Sequence, residues 1–152
     1  RLWFLNQLEP DSSFYNISAA LRLNGVLNVT ALEQSFNEII QRHEILRTTF
    51  NVVDGEAIQV INLQQKLTIK LIDLKTLPAQ KRETEARQLA NKEAGQPFDL
   101  ATGPLVRSTL LRLDEAEHIL LFTMHHIVSD GWSTDILVRE VTTLYECYCS
   151  GK

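Results

Sequence analysis

The sequence predicts a layered α+β fold in one domain, or in one lobe of a larger domain. Segments whose apolar residues alternate are interspersed with segments whose apolar residues recur at helical spacing, without a regular strand–helix–strand rhythm. Of the 152 residues, 44% are hydrophobic and 22% are charged, which is typical of a globular chain that can bury a core.

The first predicted elements are a strand and a helix. Partial alternation over residues 17–24 predicts a strand that ends at Gly25. Thr30 and Glu33 stand at the spacing of a capping box and predict the start of a helix that ends near His43. The apolar stripe of this helix consists of Leu32, Phe36, Ile39 and Ile40.

A hairpin is predicted next. Residues 47–53 and 57–63 form two short strands around the Asp54-Gly55 dipeptide, which is a strong hairpin signal. Residues 68–73 have the composition of a further strand.

The remaining chain returns to helices and strands. Pro78 suits the first turn of a surface helix that stops at Gly95. Its pairs of opposite charge at helical spacing are Lys81–Glu85 and Glu83–Arg87. Residues 104–113 and 118–124 read as paired strands around a turn at 114–117. A last helix before Gly151 has an apolar stripe of Leu137, Val141, Leu144, Tyr145 and Tyr148.

Charge and apolar runs exclude several classes of function. The net charge is −4 and there is no block of basic residues, so neither nucleic acid nor an anionic membrane is an expected partner. The apolar run at 119–124 is far shorter than a membrane span. We find no secretory leader and therefore expect a cytoplasmic protein. Cys147 and Cys149 are expected to be ordinary helix residues in a reducing compartment.

The segment 118–135 is the candidate for chemistry, because an apolar strand there leads to two adjacent histidines and an Asp-Gly turn. Adjacent residues of a strand point to opposite faces, so His125 and His126 should have different roles. On spacing alone, a packed or hydrogen-bonded core role is the more common one for such histidines. Metal binding is disfavoured because further ligands at usable spacing are missing.

Two catalytic interpretations of the same segment are weaker than general acid–base chemistry. Ser129 and Ser133 do not lie on a nucleophile elbow. His125 and Asp130 also fit the His-x4-Asp pattern of membrane-bound glycerolipid acyltransferases, but this chain shows no membrane-associating segment. General acid–base work on substrates that bring their own nucleophile and electrophile remains.

Three ordered motifs resemble the condensation domains of non-ribosomal peptide synthetases. Residues 125–131 fit His-His-x-x-x-Asp-Gly, and residues 42–50 fit Arg-His-Glu-x-Leu-Arg-Thr-x-Phe. Residues 1–5, Arg-Leu-Trp-Phe-Leu, resemble the end of the family's opening motif, whose first part is missing. Since the chain also lacks an initiating methionine, we expect it to be part of a longer protein.

The resemblance implies a mixed sheet with packed helices, like one lobe of chloramphenicol acetyltransferase. Residues 1–152 would be the N-terminal lobe, with the C-terminal lobe missing and the active site in a tunnel between the two. The implied reaction is amide formation between a donor and an acceptor on two carrier proteins, beside an adenylation domain. No cofactor is expected to bind the domain itself, because phosphopantetheine arms of the carrier proteins hold the substrates.

Within this family the second histidine faces the tunnel, so the resemblance assigns catalysis to His126. It assigns structural or supporting roles to His125, Asp130 and Gly131. Asp130 should pair with an arginine, and the motif at 42–50 offers two. The candidate arginines are Arg42 and Arg47, between which the sequence does not choose.

Related families leave alternatives open. Heterocyclisation domains have aspartates in place of the two histidines and are excluded. Epimerisation domains share the signature but usually continue with Val-Ser-Trp-Arg, whereas Trp-Ser-Thr-Asp follows here at 132–135. The motifs look most like the subtype that takes an L-configured donor. The alternative from another class is a condensation-like module that recruits a partner without catalysis, and the 152-residue piece alone is expected to be inactive.

Overall fold

The computed structural model describes residues 16–63, 65–101, 103–125 and 134–150, except for the side chains of residues 17, 19, 134 and 135. The strands in these ranges are β1 (Asn16–Asn24), β2 (Thr48–Val53), β3 (Glu56–Ile61), β4 (Lys70–Asp73), β5 (Val106–Asp114) and β6 (Glu117–His125). The helices there are α1 (Val29–Arg42), α2 (Ala79–Gly95) and α3 (Thr134–Cys149), with a 3-10 turn at Glu44–Arg47.

Four strands form a mixed sheet in the order β1-β6-β5-β4. The β1–β6 and β5–β6 pairs are antiparallel, whereas β4 and β5 are parallel neighbours connected through α2. The sheet therefore contains one strand–helix–strand unit in an otherwise antiparallel arrangement. The predicted α+β class with a mixed sheet is confirmed.

Each face of the sheet has its own core, because side chains alternate along β6. Leu120, Phe122 and Met124 belong to a large cluster that includes the buried sides of α1 and α3. Leu121 lies in a smaller cluster with Ala86 of α2. The described part of the chain thus has three layers, with α1 and α3 on one face and α2 on the other.

Helix α1 carries the predicted apolar stripe and ends, as predicted, before His43. The predicted capping box is wrong. Asn28 is the N-cap, and its side chain accepts the Ala31 N–H at 3.0 Å. Thr30 lies inside the helix, and Glu33 instead accepts the Ile69 N–H at 3.1 Å.

Helix α2 matches its predicted bounds, with Pro78 as N-cap, and Ala86 is its buried residue. The predicted ion pairs along this helix do not appear among the described residues. Glu83 pairs with Arg22 of β1 at 2.9 Å, because the first turns of α2 lie near the edge strand.

The β2–β3 hairpin turns at the predicted Asp54-Gly55 dipeptide, where both residues have positive φ (52° and 79°). This geometry is that of a tight two-residue hairpin turn. Arg47 was predicted to begin the strand, but it ends the 3-10 turn, and β2 begins at Thr48. Every residue of β3 is exposed.

The last helix, α3, buries Leu137 and Val141 against α1 and the sheet. Cys147 and Cys149 are free thiols on this helix, as predicted. Gly151, the predicted helix terminator, lies outside the described residues. Over the ranges that are described, none of the helices has the length and apolar character that crossing a bilayer requires.

Candidate active site

The candidate site begins where β6 ends. His125 is the last residue of the strand and lies within the described ranges. His126, Asp130 and Gly131 follow it in the sequence and lie outside those ranges. The roles assigned to these three residues therefore stay predictions.

His125 is buried, with only 1% of its surface exposed. Its backbone N–H donates to the Leu105 carbonyl at 3.0 Å, just before β5 begins. Its ring meets the Phe98 ring edge-on, with a centroid distance of 6.2 Å and an interplanar angle of 77°. The imidazole is therefore packed in the interior of the described part of the chain.

Arg42 and Arg47 have very different surroundings. Arg42 is about half exposed and pairs with Glu38, one helical turn earlier, at 3.0 Å. Arg47 is 8% exposed, and its Nη1 donates to the Asn62 carbonyl at 3.3 Å. Its Nε is buried and has no hydrogen-bond partner among the described residues. A buried guanidinium with an unsatisfied donor is the kind of group that an anionic partner would stabilise.

Asn62 holds the backbone around Arg47. Its Nδ2 donates to the Arg47 carbonyl at 3.0 Å, and its own N–H donates to the same oxygen at 2.8 Å. The short segment after β3 is thereby fixed to the end of the 3-10 turn. Arg47 is therefore held from both its backbone and its side chain.

The loop between α2 and β5 contacts both motif regions. Phe50 of β2 donates its N–H to the Leu100 carbonyl at 2.7 Å, and Leu105 accepts the His125 N–H. Gly103 has a φ of 59°, and a Cβ there would lie 2.7 Å from the Thr49 methyl group. Glycine is thus required for the close approach of this loop to β2. The structure brings the residues after Arg47 and the end of β6 against the same loop.

No motif in the sequence pointed to this loop or to the arginine that follows it. Arg107 Nε forms an ion pair with Glu93 at 2.6 Å, and its guanidinium carbon lies 4.0 Å from the centre of the Phe98 ring. The Gly103-Pro104 dipeptide was an available turn signal. It did not indicate which side chains the turn would bring to His125.

A groove and a pocket are among the cavities in the described part of the chain. A groove of about 420 Å³ runs beside the first residues of β5 and is lined in part by Leu67, Pro104 and Arg107. A mostly apolar pocket of about 180 Å³ lies between α1, α3 and the sheet. Within the described part of the chain, no three His, Cys, Asp or Glu side chains gather as metal ligands would.

The comparisons with known proteins assign this fold and these motifs to one family. The family profile described as "Condensation domain" matches residues 1–152, the whole chain. The chain therefore belongs to the condensation-domain family, and the resemblance seen in the three motifs is confirmed.

Relatives of high sequence identity are very large synthases and synthetases. The chain is 53% identical over 148 residues to a linear gramicidin synthase polypeptide from Brevibacillus parabrevis, covering 97% of this chain and 3% of that protein. It is 46% identical over 152 residues to malpinin synthetase of Mortierella alpina, covering 100% of this chain and 2% of that protein.

Solved structures agree on the fold. The starter condensation domain of rhizomide synthetase superposes with a TM-score of 0.89 at 26% identity, covering 99% of this chain and 36% of that chain. The chain thus spans about a third of a solved condensation domain and a few per cent of the synthetases it matches. The predicted fold like that of chloramphenicol acetyltransferase is confirmed.

Proposed function

We propose that this chain is the N-terminal lobe of a condensation domain that forms amide bonds in non-ribosomal peptide synthesis. The donor is an acyl or peptidyl thioester on one carrier protein, and the acceptor is an aminoacyl thioester on another. An adjacent adenylation domain would supply the activated amino acids. Membership of the condensation family and the relatives, which are named as a synthase and a synthetase, support this proposal. The preference for an L-configured donor remains a prediction from the motifs.

The reaction needs positioning and one proton transfer. The acceptor amine attacks the donor carbonyl carbon, a C–N bond forms, and the C–S bond to the donor's phosphopantetheine arm breaks. The nitrogen loses a proton, and the departing thiolate gains one. Atoms and charges balance without an oxidant, a metal or a further co-reactant.

His126 is the residue proposed to move this proton. An α-amino group has a pKa near 8, so about a tenth of the acceptor is already neutral at pH 7. Removing the proton from the cationic tetrahedral intermediate is therefore a more useful task than deprotonating the free amine. General-base help of this kind is typically worth about 10²–10⁴-fold in rate.

Asp130 is proposed to pair with Arg47, and the buried Nε of Arg47 is the observation that carries the assignment of roles. That atom has no partner among the described residues, whereas Arg42 is exposed and already paired with Glu38. His125 is proposed to be structural, in keeping with its burial. Gly131 is proposed to allow close approach of the backbone to the substrate, and its amide would help to stabilise the oxyanion.

The test uses the complete synthetase that contains this chain, supplied with ATP and the proteinogenic amino acids. Mass spectrometry of the phosphopantetheine arm on the acceptor carrier detects the dipeptidyl thioester during a single turnover. We expect His126→Ala to slow its formation by about 10²-fold or more. His126→Gln, which keeps a polar side chain without a basic nitrogen, should be slowed similarly.

The controls separate catalysis from loading and folding. Both carriers must be loaded to the same extent in wild type and variants, and the variants must unfold at the same denaturant concentration as wild type. A wild-type protein that loads both carriers but forms no amide bond would favour the recruiting module instead. Near-normal amide formation by His126→Ala would leave only a positioning role for the site.

A further inference from the structure

The last turn of α2 is held by side chains from two strands of the sheet. Arg107 of β5 donates to the carbonyls of Glu93 at 3.0 Å, Gln96 at 2.9 Å and Pro97 at 3.2 Å, in addition to its ion pair with the Glu93 carboxylate. The last carbonyls of a helix have no partner within the helix, and a cation there also suits the helix dipole. Arg107 therefore fixes both the end of α2 and the chain that leaves it.

Asn16 of β1 holds the same turn from the other side of β6. Its Nδ2 donates to the Gln96 carbonyl at 2.6 Å and to the Ala94 carbonyl at 3.3 Å. Asn16 is the register partner of His125, and Arg107 is the register partner of Thr123. Since β6 lies between β1 and β5, the two side chains flank His125 on the same face of the sheet.

Phe98 follows this anchored turn and is 3% exposed. Its ring has the Arg107 guanidinium 4.0 Å from its centre and meets the imidazole of His125 edge-on. Cation–π contacts and edge-to-face aromatic pairs both depend on geometry as well as on burial. Phe98 is thus the connection between the anchored turn and the end of β6.

We propose that Arg107 and Phe98 are positioning residues for condensation, because together they hold His125 and so fix the point at which the chain leaves β6 towards His126. This inference rests on the proposed function. Neither residue need touch a substrate. A displacement of about 1 Å at a catalytic group can cost about 10²-fold in rate, which gives packing at this position a kinetic consequence.

The test compares two Phe→Leu variants of the complete synthetase. Phe98→Leu keeps an apolar side chain but removes the aromatic contacts with His125 and Arg107. Phe122→Leu is the matched control, since Phe122 is a buried phenylalanine of β6 that stacks on Phe36 on the opposite face of the sheet, with ring centroids 5.4 Å apart. Both variants should lose stability by similar amounts.

Only Phe98→Leu is expected to slow the single-turnover rate, by about ten- to a hundredfold. The extent to which the two carriers are loaded should not change. Arg107→Gln should slow the same step, and Arg107→Lys should recover part of the rate because it keeps the cation. In a His126→Ala background, Phe98→Leu should change the remaining rate by less than about twofold, since a residue acting through His126 has nothing left to position.

Equal slowing by Phe98→Leu and Phe122→Leu would overturn the inference, because it would trace the effect to general loss of packing. Undiminished slowing by Phe98→Leu in the His126→Ala background would overturn it as well. If wild type forms amide bonds, His126→Ala does not, and Phe98→Leu behaves as wild type, the positioning inference fails while the proposed function stands. If wild type loads both carriers and forms no amide bond, the proposed function fails and the inference with it.

Discussion

Replacing Arg47 by alanine in the complete condensation domain is expected to lower the free energy of unfolding by about 3–5 kcal/mol. Removing one member of a buried ion pair leaves the other charge buried and uncompensated, which costs this much. The side chain of Arg47 is buried and bonded to Asn62, and Asp130 is its proposed partner. Because domains are stable by only about 5–15 kcal/mol, the loss is a large fraction of the total.

Arg42→Ala is the matched comparison, five residues earlier in the same motif. Its guanidinium is about half exposed and pairs with Glu38 on the surface of α1. Exposed pairs at this helical spacing contribute about 0.3–0.5 kcal/mol, so the two alanine variants should differ by roughly 3 kcal/mol. Urea unfolding followed by circular dichroism measures both, provided that the slope of the transition is unchanged.

A double-mutant cycle identifies the partner of Arg47. If Asp130 is that partner, the Arg47→Ala/Asp130→Ala variant should be more stable than the sum of the single losses predicts, by about 0.5–3 kcal/mol. An Arg47→Ala loss no greater than that of Arg42→Ala would refute the reasoning from burial. Additive losses for Arg47 and Asp130 would refute the pairing.

Three further predictions concern the stability of the same domain, each measured by urea unfolding. Gly103→Ala should destabilise it by about 1–2 kcal/mol or more, because φ is positive there and the added Cβ meets the Thr49 methyl group. Serine lacks that methyl group, so a Thr49→Ser background should restore part of the loss. Asn28→Ala should cost about 1 kcal/mol by removing the N-cap of α1, and Thr30→Ala should cost less. A larger loss for Thr30→Ala than for Asn28→Ala would favour the capping box. Burial lowers the pKa of His118, and the charge of Arg112 lowers it further. Below about pH 6.5 the unfolded state therefore binds more protons than the folded state, so the free energy of unfolding should fall as the pH drops below that value. His118→Leu should reduce this slope, and an unchanged slope would contradict the assignment.

Local patterns predicted most elements because the relevant physics is local. The Asp54-Gly55 turn needs two residues that tolerate positive φ, and the dipeptide supplies them wherever the strands lie. The apolar stripe of α1 likewise marks a buried face whatever packs against it. The start of the same helix was predicted wrongly because Asn28 and Thr30 are both good caps and Glu33 completes a box with only one of them. The tertiary structure determines which residue is the cap, because the Glu33 carboxylate accepts the Ile69 N–H instead of completing the capping box.

The candidate site was predictable in its motifs but not in its contacts. Arg42 and Arg47 are the same residue type within one motif, and only the fold makes one exposed and the other buried. Phe98 and Arg107 are nine residues apart and have no motif that links them to His125. Phe98 reaches His125 because α2 crosses one face of the sheet between the parallel strands β4 and β5, and the chain that leaves α2 lies beside the end of β6. Such non-local geometry leaves no periodic signal in the sequence.

The β2–β3 hairpin bears on how this chain behaves when it is expressed alone. Within the described ranges, the only strand that pairs with β3 is β2. The outer edge of β3 therefore carries backbone donors and acceptors to which another extended chain could hydrogen-bond. Ile58, Val60 and Ile61 are between 38% and 44% exposed along that edge. A chain that carries this hairpin on its own is therefore expected to aggregate edge to edge, and Val60→Lys should reduce that aggregation.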